Sequence, residues 1–222
     1  MSAKKSASAG FRLDLHIHTF ESGDNDANPE EVASEAIAKG LDGIAFTEHS
    51  SYEASEFAER LKEKYSPLLT ILRGVEFSAR EGHVLVFGVD TDKLSIWGAP
   101  VEDLLAAVKE QGGVAIPAHP FRGGSGIGNL FEHINGFTAV EGYNGCNLHA
   151  MNVEAVSRAE ALGLPVTGGS DAHAPNEVGK CYTEFEAPVT GENFLDLLRG
   201  GRYRGVDERI INRSIWMPNI ND

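Results

Sequence analysis

Two histidines stand on alternate positions of the apolar run FRLDLHIHTF, residues 11–20, with an aspartate two residues before the first. On a strand, alternate residues share a face, so Asp14, His16 and His18 point one way and Leu13, Leu15 and Ile17 the other. Neutral imidazole is the commonest metal ligand, and a pair at this spacing behind a carboxylate favours a metal over a solvated strand face. Comparable residues recur along the chain: His49 after GIAFTE, Glu76 after LRGV, His83 in GHVLVFG, His119 after VAIPA, Glu141 in FTAVEG, and Asp171 and His173 in GGSDAH. Six of the eight histidines fall at such strand ends; His133 and His149 do not.

The elements that must position these residues alternate in type. Asn28, Pro29 and Glu31 form a helix start, with a cap, a proline at the first turn and an acid three residues after the cap. Val32, Ala36 and Ile37 give that helix its apolar stripe, and Gly40 stops it. A second helix is expected over about residues 52–64, with Phe57 and Leu61 inward. LLTILRGVEFS and GHVLVFGV read as strands joined by the turn AREG, a candidate hairpin. VEDLLAAVKEQGG and NLHAMNVEAVSRAEALG have helical periodicity. KCYTEFE reads as a strand and TGENFLDLLRGG as a helix capped by Thr190. About six strand–helix alternations indicate a parallel α/β protein. In an open sheet a few strands serve the ligand at a switch point, whereas in a barrel the C-terminal end of every strand faces one site. Ligand-type residues at nearly every strand end therefore favour the barrel.

The net charge is −14, from 33 acidic against 19 basic residues. That excludes an extended, sequence-independent nucleic-acid binder, which needs a basic footprint, and a surface drawn to anionic membrane. Cys146 and Cys181 are too few for a disulfide framework and read as reduced thiols of a cytoplasmic protein. No apolar run approaches the about 20 residues of a membrane span. MSAKKSASAG has charge but no apolar stretch, so residues 1–10 read as a frayed tail rather than a secretory signal. No linker divides residues 11–222, which are expected to form one domain. Asn212 in NRS fits a glycosylation pattern by coincidence.

A single transition metal takes about four to six ligands. His16, His18, His49, Glu76, His83, His119, Asp171 and His173, with Asp24 or Asp26 nearby, are enough for two or three ions. Mixed imidazole and carboxylate suits zinc, manganese or iron. Ions at close range lower the pKa of a bound water and clamp the oxygens of an in-line displacement, which phosphate ester hydrolysis uses most.

Taken in order, DLHIHT, GIAFTEHS, GVEFS, GHVLVFG, AHPFR and GGSDAH resemble the motifs of the PHP (polymerase and histidinol phosphatase) family, over about residues 12–205. The resemblance implies a distorted seven-stranded, TIM-like β/α barrel with a two- or three-metal phosphoesterase site. It implies one metal held by His16, His18, Glu76 and Asp171. Glu76 would bridge to a second, held also by His83 and His119, and Asp24, His49 and His173 would hold a third. Two departures stand out. The first loop reads ESGDND where relatives often have Ser-Asp-Gly, which makes Asp24 the expected ligand and Asp26 the fallback. TEH replaces TDH, which puts Glu48 beside the ligands or on the surface. Asp14 is expected to fix the orientation of a ligand histidine.

Arg122, His119 and His173 are the expected catalytic residues, with Arg122 clamping a phosphate oxygen bidentately in a reaction driven by a metal-activated hydroxide. Lys180 reads as a solvated surface lysine, GGSGIGNL as a mobile loop or lid, and Glu141, Tyr143 and Asn144 as residues near the substrate. The implied substrate is a small phosphomonoester, or the phosphate of a nucleotide or short oligonucleotide end. Two alternatives remain. A metal-dependent amidohydrolase also opens on His-x-His, but glutamate stands here where many such barrels carry a bridging lysine. A noncatalytic metal-binding regulatory domain is disfavoured by the full ligand set.

Overall fold

Strand β1, Phe11–Ile17, is buried along its last five residues, so neither of its faces meets water. Such a strand needs neighbours on both edges and cover on both sides. In a computed structural model describing residues 10–210, apart from Ser50, Ser95 and Trp97, eight further strands supply them. They are Gly43–Phe46 (β2), Thr70–Ala79 (β3), Gly82–Phe87 (β4), Val114–Pro117 (β5), Val140–Asn144 (β6), Val166–Gly169 (β7), Cys181–Phe185 (β8) and Tyr203–Asp207 (β9). Most of the expected tail, and Asn212, lie outside the described residues.

Seven strands form one curled sheet in the order β5-β4-β3-β2-β1-β8-β9, and β6 and β7 form a separate parallel pair. That pair closes the ring. Thr138 N donates to Ala115 O at 2.9 Å beyond β5, and on the other side Asp171 N donates to His16 O at 2.7 Å and His18 N to Ala172 O at 3.0 Å. The result is a distorted seven-stranded β/α barrel of β1–β7, with the β8–β9 hairpin applied to the outer edge of β1. The sheet is mixed rather than parallel as the alternation suggested. The turn after Ala79 folds β4 back on β3, and β5 then runs antiparallel to β4.

Five helices pack outside: Pro29–Ala38 (α1), Phe57–Tyr65 (α2), Val101–Glu110 (α3), His149–Ala161 (α4) and Phe194–Gly200 (α5). The Asn28 side chain caps α1 by accepting from Glu30 N at 2.9 Å. Helix α2 starts later than its periodicity suggests. The Asp92 carboxylate takes the Tyr52 and Glu53 N–H groups at 3.0 and 2.6 Å, holding Glu53–Ser55 as a separate 3-10 turn. Thr190 does not cap α5 directly; its hydroxyl accepts from Asn193 N, and Asn193 is the cap. Leu13, Leu15, Leu72, Leu85 and Ile116 pack with Phe194 and Leu198, while Ile44 and Phe46 pack against α1 and α2. Each such side chain contributes about 1.5–3 kcal/mol by burial. No helix among the described residues is long and apolar enough to cross a membrane.

Candidate metal centre

The ring closure brings the ends of six barrel strands to one place. His16 and His18 leave the end of β1 with their Nε2 atoms 3.0 Å apart. His49 follows β2 and reaches β3 through a bridge to Glu76. His83 lies opposite Ser78 in the β3–β4 hairpin, and His119 follows β5. Asp171 and His173 follow β7. His119 and Asp171 have φ of 29° and 54°, a backbone region that costs a non-glycine residue energy and occurs most often at functional sites.

Glu76 is the hub, fully buried and met by five imidazoles. Its Oε1 lies 2.8 Å from His119 Nε2, 3.0 Å from His83 Nδ1 and 3.4 Å from His16 Nε2. Its Oε2 lies 2.9 Å from His49 Nδ1 and 3.4 Å from His18 Nε2. Asp171 Oδ1 stands 3.5 Å from His16 Nε2 and 3.3 Å from His18 Nε2. At the rim, Asp24 Oδ2 meets His49 Nε2 at 3.0 Å and His173 Nε2 at 3.4 Å, with the Asp24 side chain 41% exposed. Asp26 is exposed and makes none of these contacts.

The potential ligand atoms cluster in four overlapping sets, each within 4.8 Å: His16, His18 and Glu76; His16, His119 and Asp171; Glu76, His83 and His119; and His18, His49 and His173. His133 and His149 belong to none of them.

A second layer of buried residues fixes the first. Glu141 Oε1 holds His16 Nδ1 at 2.8 Å, and its Oε2 accepts from His119 N at 2.7 Å. This is the orienting role expected of Asp14. Asp14 instead braces backbone, accepting from Ser170 N and Gly179 N at 2.8 Å each and from His16 N at 3.3 Å. Glu48 is buried, not on the surface. It accepts from Thr19 N, the Thr19 hydroxyl and the Ser22 hydroxyl, tying down the first loop.

Arg122 reaches the cluster through Asp171 Oδ2, 2.7 Å from its NH1, while Asn147 and Asn144 accept from its Nε and NH2 at 3.0 and 2.7 Å. Asn144, expected near the substrate, thus meets Arg122, and Asn152 in α4 braces it by donating to Asn144 O at 3.0 Å; no sequence signal marked Asn147 or Asn152. The glycine-rich stretch after Arg122 is pinned rather than free: His83 N donates to Ser125 O at 2.8 Å and Gly126 N to Arg122 O at 2.9 Å.

Electrostatics follow from this crowding. Burial disfavours the His16 imidazolium, but Asp171, Glu141 and Glu76 outweigh it and hold that imidazole well above its usual range. Burial also opposes ionisation of Glu76, yet His16 and hydrogen bonds from His119, His16 and His49 keep its carboxyl well below the usual carboxylate range. His18 goes the other way, lowered to about 4 by burial. Imidazoles thus face buried carboxylates where cations would balance the charge more fully. His119 Nδ1 is buried without a hydrogen-bond partner. This donor set, imidazole nitrogens converging with carboxylate oxygens, fits divalent transition metals.

Comparison with known proteins agrees with this geometry. Residues 14–114 match the PHP domain family and residues 150–203 the PHP-associated family, together more than half of the chain. The chain is a PHP-domain protein. Its relatives include an uncharacterized protein of Methanocaldococcus jannaschii, 28% identical over 121 residues, covering 50% of this chain and 68% of that one. A histidinol-phosphatase of Lactococcus lactis is 29% identical over 112 residues, 47% of this chain. The alignment takes in 42% of that enzyme, less than half its length.

Among solved structures, PsfC of Pseudomonas syringae superposes with a TM-score of 0.69 at 23% identity, covering 92% of this chain and 96% of that one. An amidohydrolase of Chromobacterium violaceum with bound sulfate and no metal gives 0.61 at 19% identity, covering 86% and 96%. A Bifidobacterium adolescentis protein provisionally assigned as a metal-dependent phosphoesterase gives 0.59 at 17%, covering 84% and 95%. The PHP domain here has the fold shared by metal-dependent phosphoesterases and amidohydrolase-like proteins.

Proposed function

We propose that this chain is a metal-dependent phosphoesterase acting on a small phosphomonoester, or on the phosphate of a nucleotide or a short oligonucleotide end. The observation that carries the reading is the division of Glu76, whose Oε1 addresses His83, His119 and His16 while Oε2 addresses His49 and His18. A buried carboxylate placed this way suits a bridge between two ions. His16, His18, Glu76 and Asp171 would hold one of them, and Glu76, His83 and His119 a second. Asp24, His49 and His173 would hold a third, with manganese, zinc or iron as the candidates. Such ions lower the pKa of a coordinated water and neutralise phosphate charge.

The chain's own groups do the rest. Arg122 keeps one N–H on each terminal nitrogen beyond those given to Asp171 and Asn144, enough to grip a phosphate oxygen. With two ions bound, His173, a third exposed at the rim, would be free to hand a proton to a leaving oxygen; with three, it would be a ligand instead. The two free cysteines suit a reducing compartment such as the cytoplasm.

Elemental analysis of the purified chain, beside turnover of an aryl phosphate, tests this reading. Two or three ions per chain, with ions and turnover both lost in the His16→Ala/His18→Ala variant, are the expected result. A metal-replete chain that binds no transition metal overturns the reading. Full loading with cleavage of an amide but not of a phosphate ester moves the assignment to an amidohydrolase.

A further inference from the structure

A cavity of about 320 Å3 opens against the outer edge of β1 where β8 pairs with it. Its walls include Arg12, Lys39, Lys180 and Arg209, and none of the candidate metal ligands. Four cations in one hollow are unusual in a chain of net charge −14 with 19 basic residues. A concave basic patch on an acidic molecule concentrates anions locally.

The four cations are not equivalent. Arg209 commits all its N–H groups, to Asp207 and to the carbonyls of Asn144, Gly145 and Asn147, so it supplies charge rather than hydrogen bonds. Lys39 donates to the carbonyls of Asn176 and Val178 and lies 3.4 Å from Glu35. Lys180 has one partner, Glu177 at 2.7 Å, which leaves two of its N–H groups.

Arg12 is the exception. Its guanidinium donates no hydrogen bond among the described residues, and its Nε is buried without a partner. The group stands 5.5 Å from the Tyr182 ring centre. Its cross-strand neighbour Glu184 is taken by Arg204, whose Nε donates to it at 2.8 Å. Glu208, the acid on the cavity wall, accepts from the Tyr182 hydroxyl at 3.0 Å.

We propose that this cavity is a phosphate-binding site, separate from the metal centre, in which Arg12 and Lys180 donate to the phosphate oxygens while Lys39 and Arg209 add positive field. A guanidinium fork with free N–H groups matches a phosphate dianion in charge and geometry. The cavity holds roughly ten water volumes, more than a bare phosphate fills, so a phosphomonoester with a small organic part fits it best. The site does not depend on the metal-centre reading, and either can fail alone.

The test is an NMR titration of the nitrogen-15-labelled full chain, with inorganic phosphate in one series and glycerol phosphate in another. Saturable shifts of the amides of Arg12 and residues 179–182 are expected, with Arg12→Gln and Lys180→Gln each weakening binding by at least about tenfold. Tighter binding of the ester assigns the site to a phosphomonoester, and tighter binding of the inorganic ion assigns it to free phosphate. Shifts confined to the surroundings of Glu76 and Asp171, with none along residues 179–182, overturn the proposal. So does wild-type binding by both folded variants. If a variant fails to fold, the wild-type shift map decides.

Discussion

With its Nδ1 2.8 Å from Glu141, His16 turns Nε2 toward Glu76 and Asp171, where a bound cation would take the place of the Nε2 proton. That contact leaves Nε2 as the nitrogen able to bind a cation, and groups of this kind tune the ligands they touch. Glu141→Gln keeps an acceptor but loses the charge that makes His16 a stronger donor. Metal affinity should fall by about 10–100-fold, measured by competition with a chromophoric chelator; an unchanged affinity would show that Glu141 only fills space. Asp14 braces backbone, through the N–H groups of His16, Ser170 and Gly179, with the Ser170 side chain beside it. In Asp14→Asn one carboxylate oxygen becomes an NH2 group facing a buried N–H. The expected cost is about 1–3 kcal/mol, read from the urea midpoint, with the metal content of the folded protein unchanged.

At the level of elements, the site depends on how closely β7 approaches β1. A Cβ at Gly169 would stand 2.4 Å from His16 Cβ and 2.9 Å from His16 N. Gly169→Ala must push the two strands apart, at about 1–3 kcal/mol. It should also displace Asp171 from His16 and His18, so a loss of metal with a smaller loss of stability is expected from parallel metal analysis and thermal melts. The barrel and the convergence of ligand-type residues were legible in the sequence because such residues end strand after strand, a pattern that needs no knowledge of pairing. The mixed sheet was not, since the direction of β4 and β5 is set by a short turn and by long-range pairing. The surroundings of Arg122 were hidden for a related reason. The sequence puts Asn144 near the substrate without revealing Arg122 as its partner, and Asn147, 25 residues from Arg122, is an asparagine in a loop with no periodic signal. Lys180 looked like any surface lysine until folding placed it across a cavity from Arg12.

For the molecule as a whole, the cluster concentrates buried carboxylates in a chain already at −14. Bound cations should stabilise the fold by mass action, by about 2.7 kcal/mol per site at a hundredfold excess over Kd. Chelation is then expected to lower the melting temperature by roughly 5–10 °C for each site emptied, in a calorimetric scan with and without metal; coincident melts would mean that the cluster is rigid without ions. The closure between β1 and β7 has a further consequence, in time. Asp14 and Ser170 are 156 positions apart in the chain, so at about 5–20 residues per second the ribosome needs roughly 10–30 s between making one and the other. Throughout that interval the nascent chain exposes His16 and His18 without the strand that seats them beside Asp171. A messenger broken before the codons for GGSDAH would leave the ring open and His16 and His18 without Asp171 beside them.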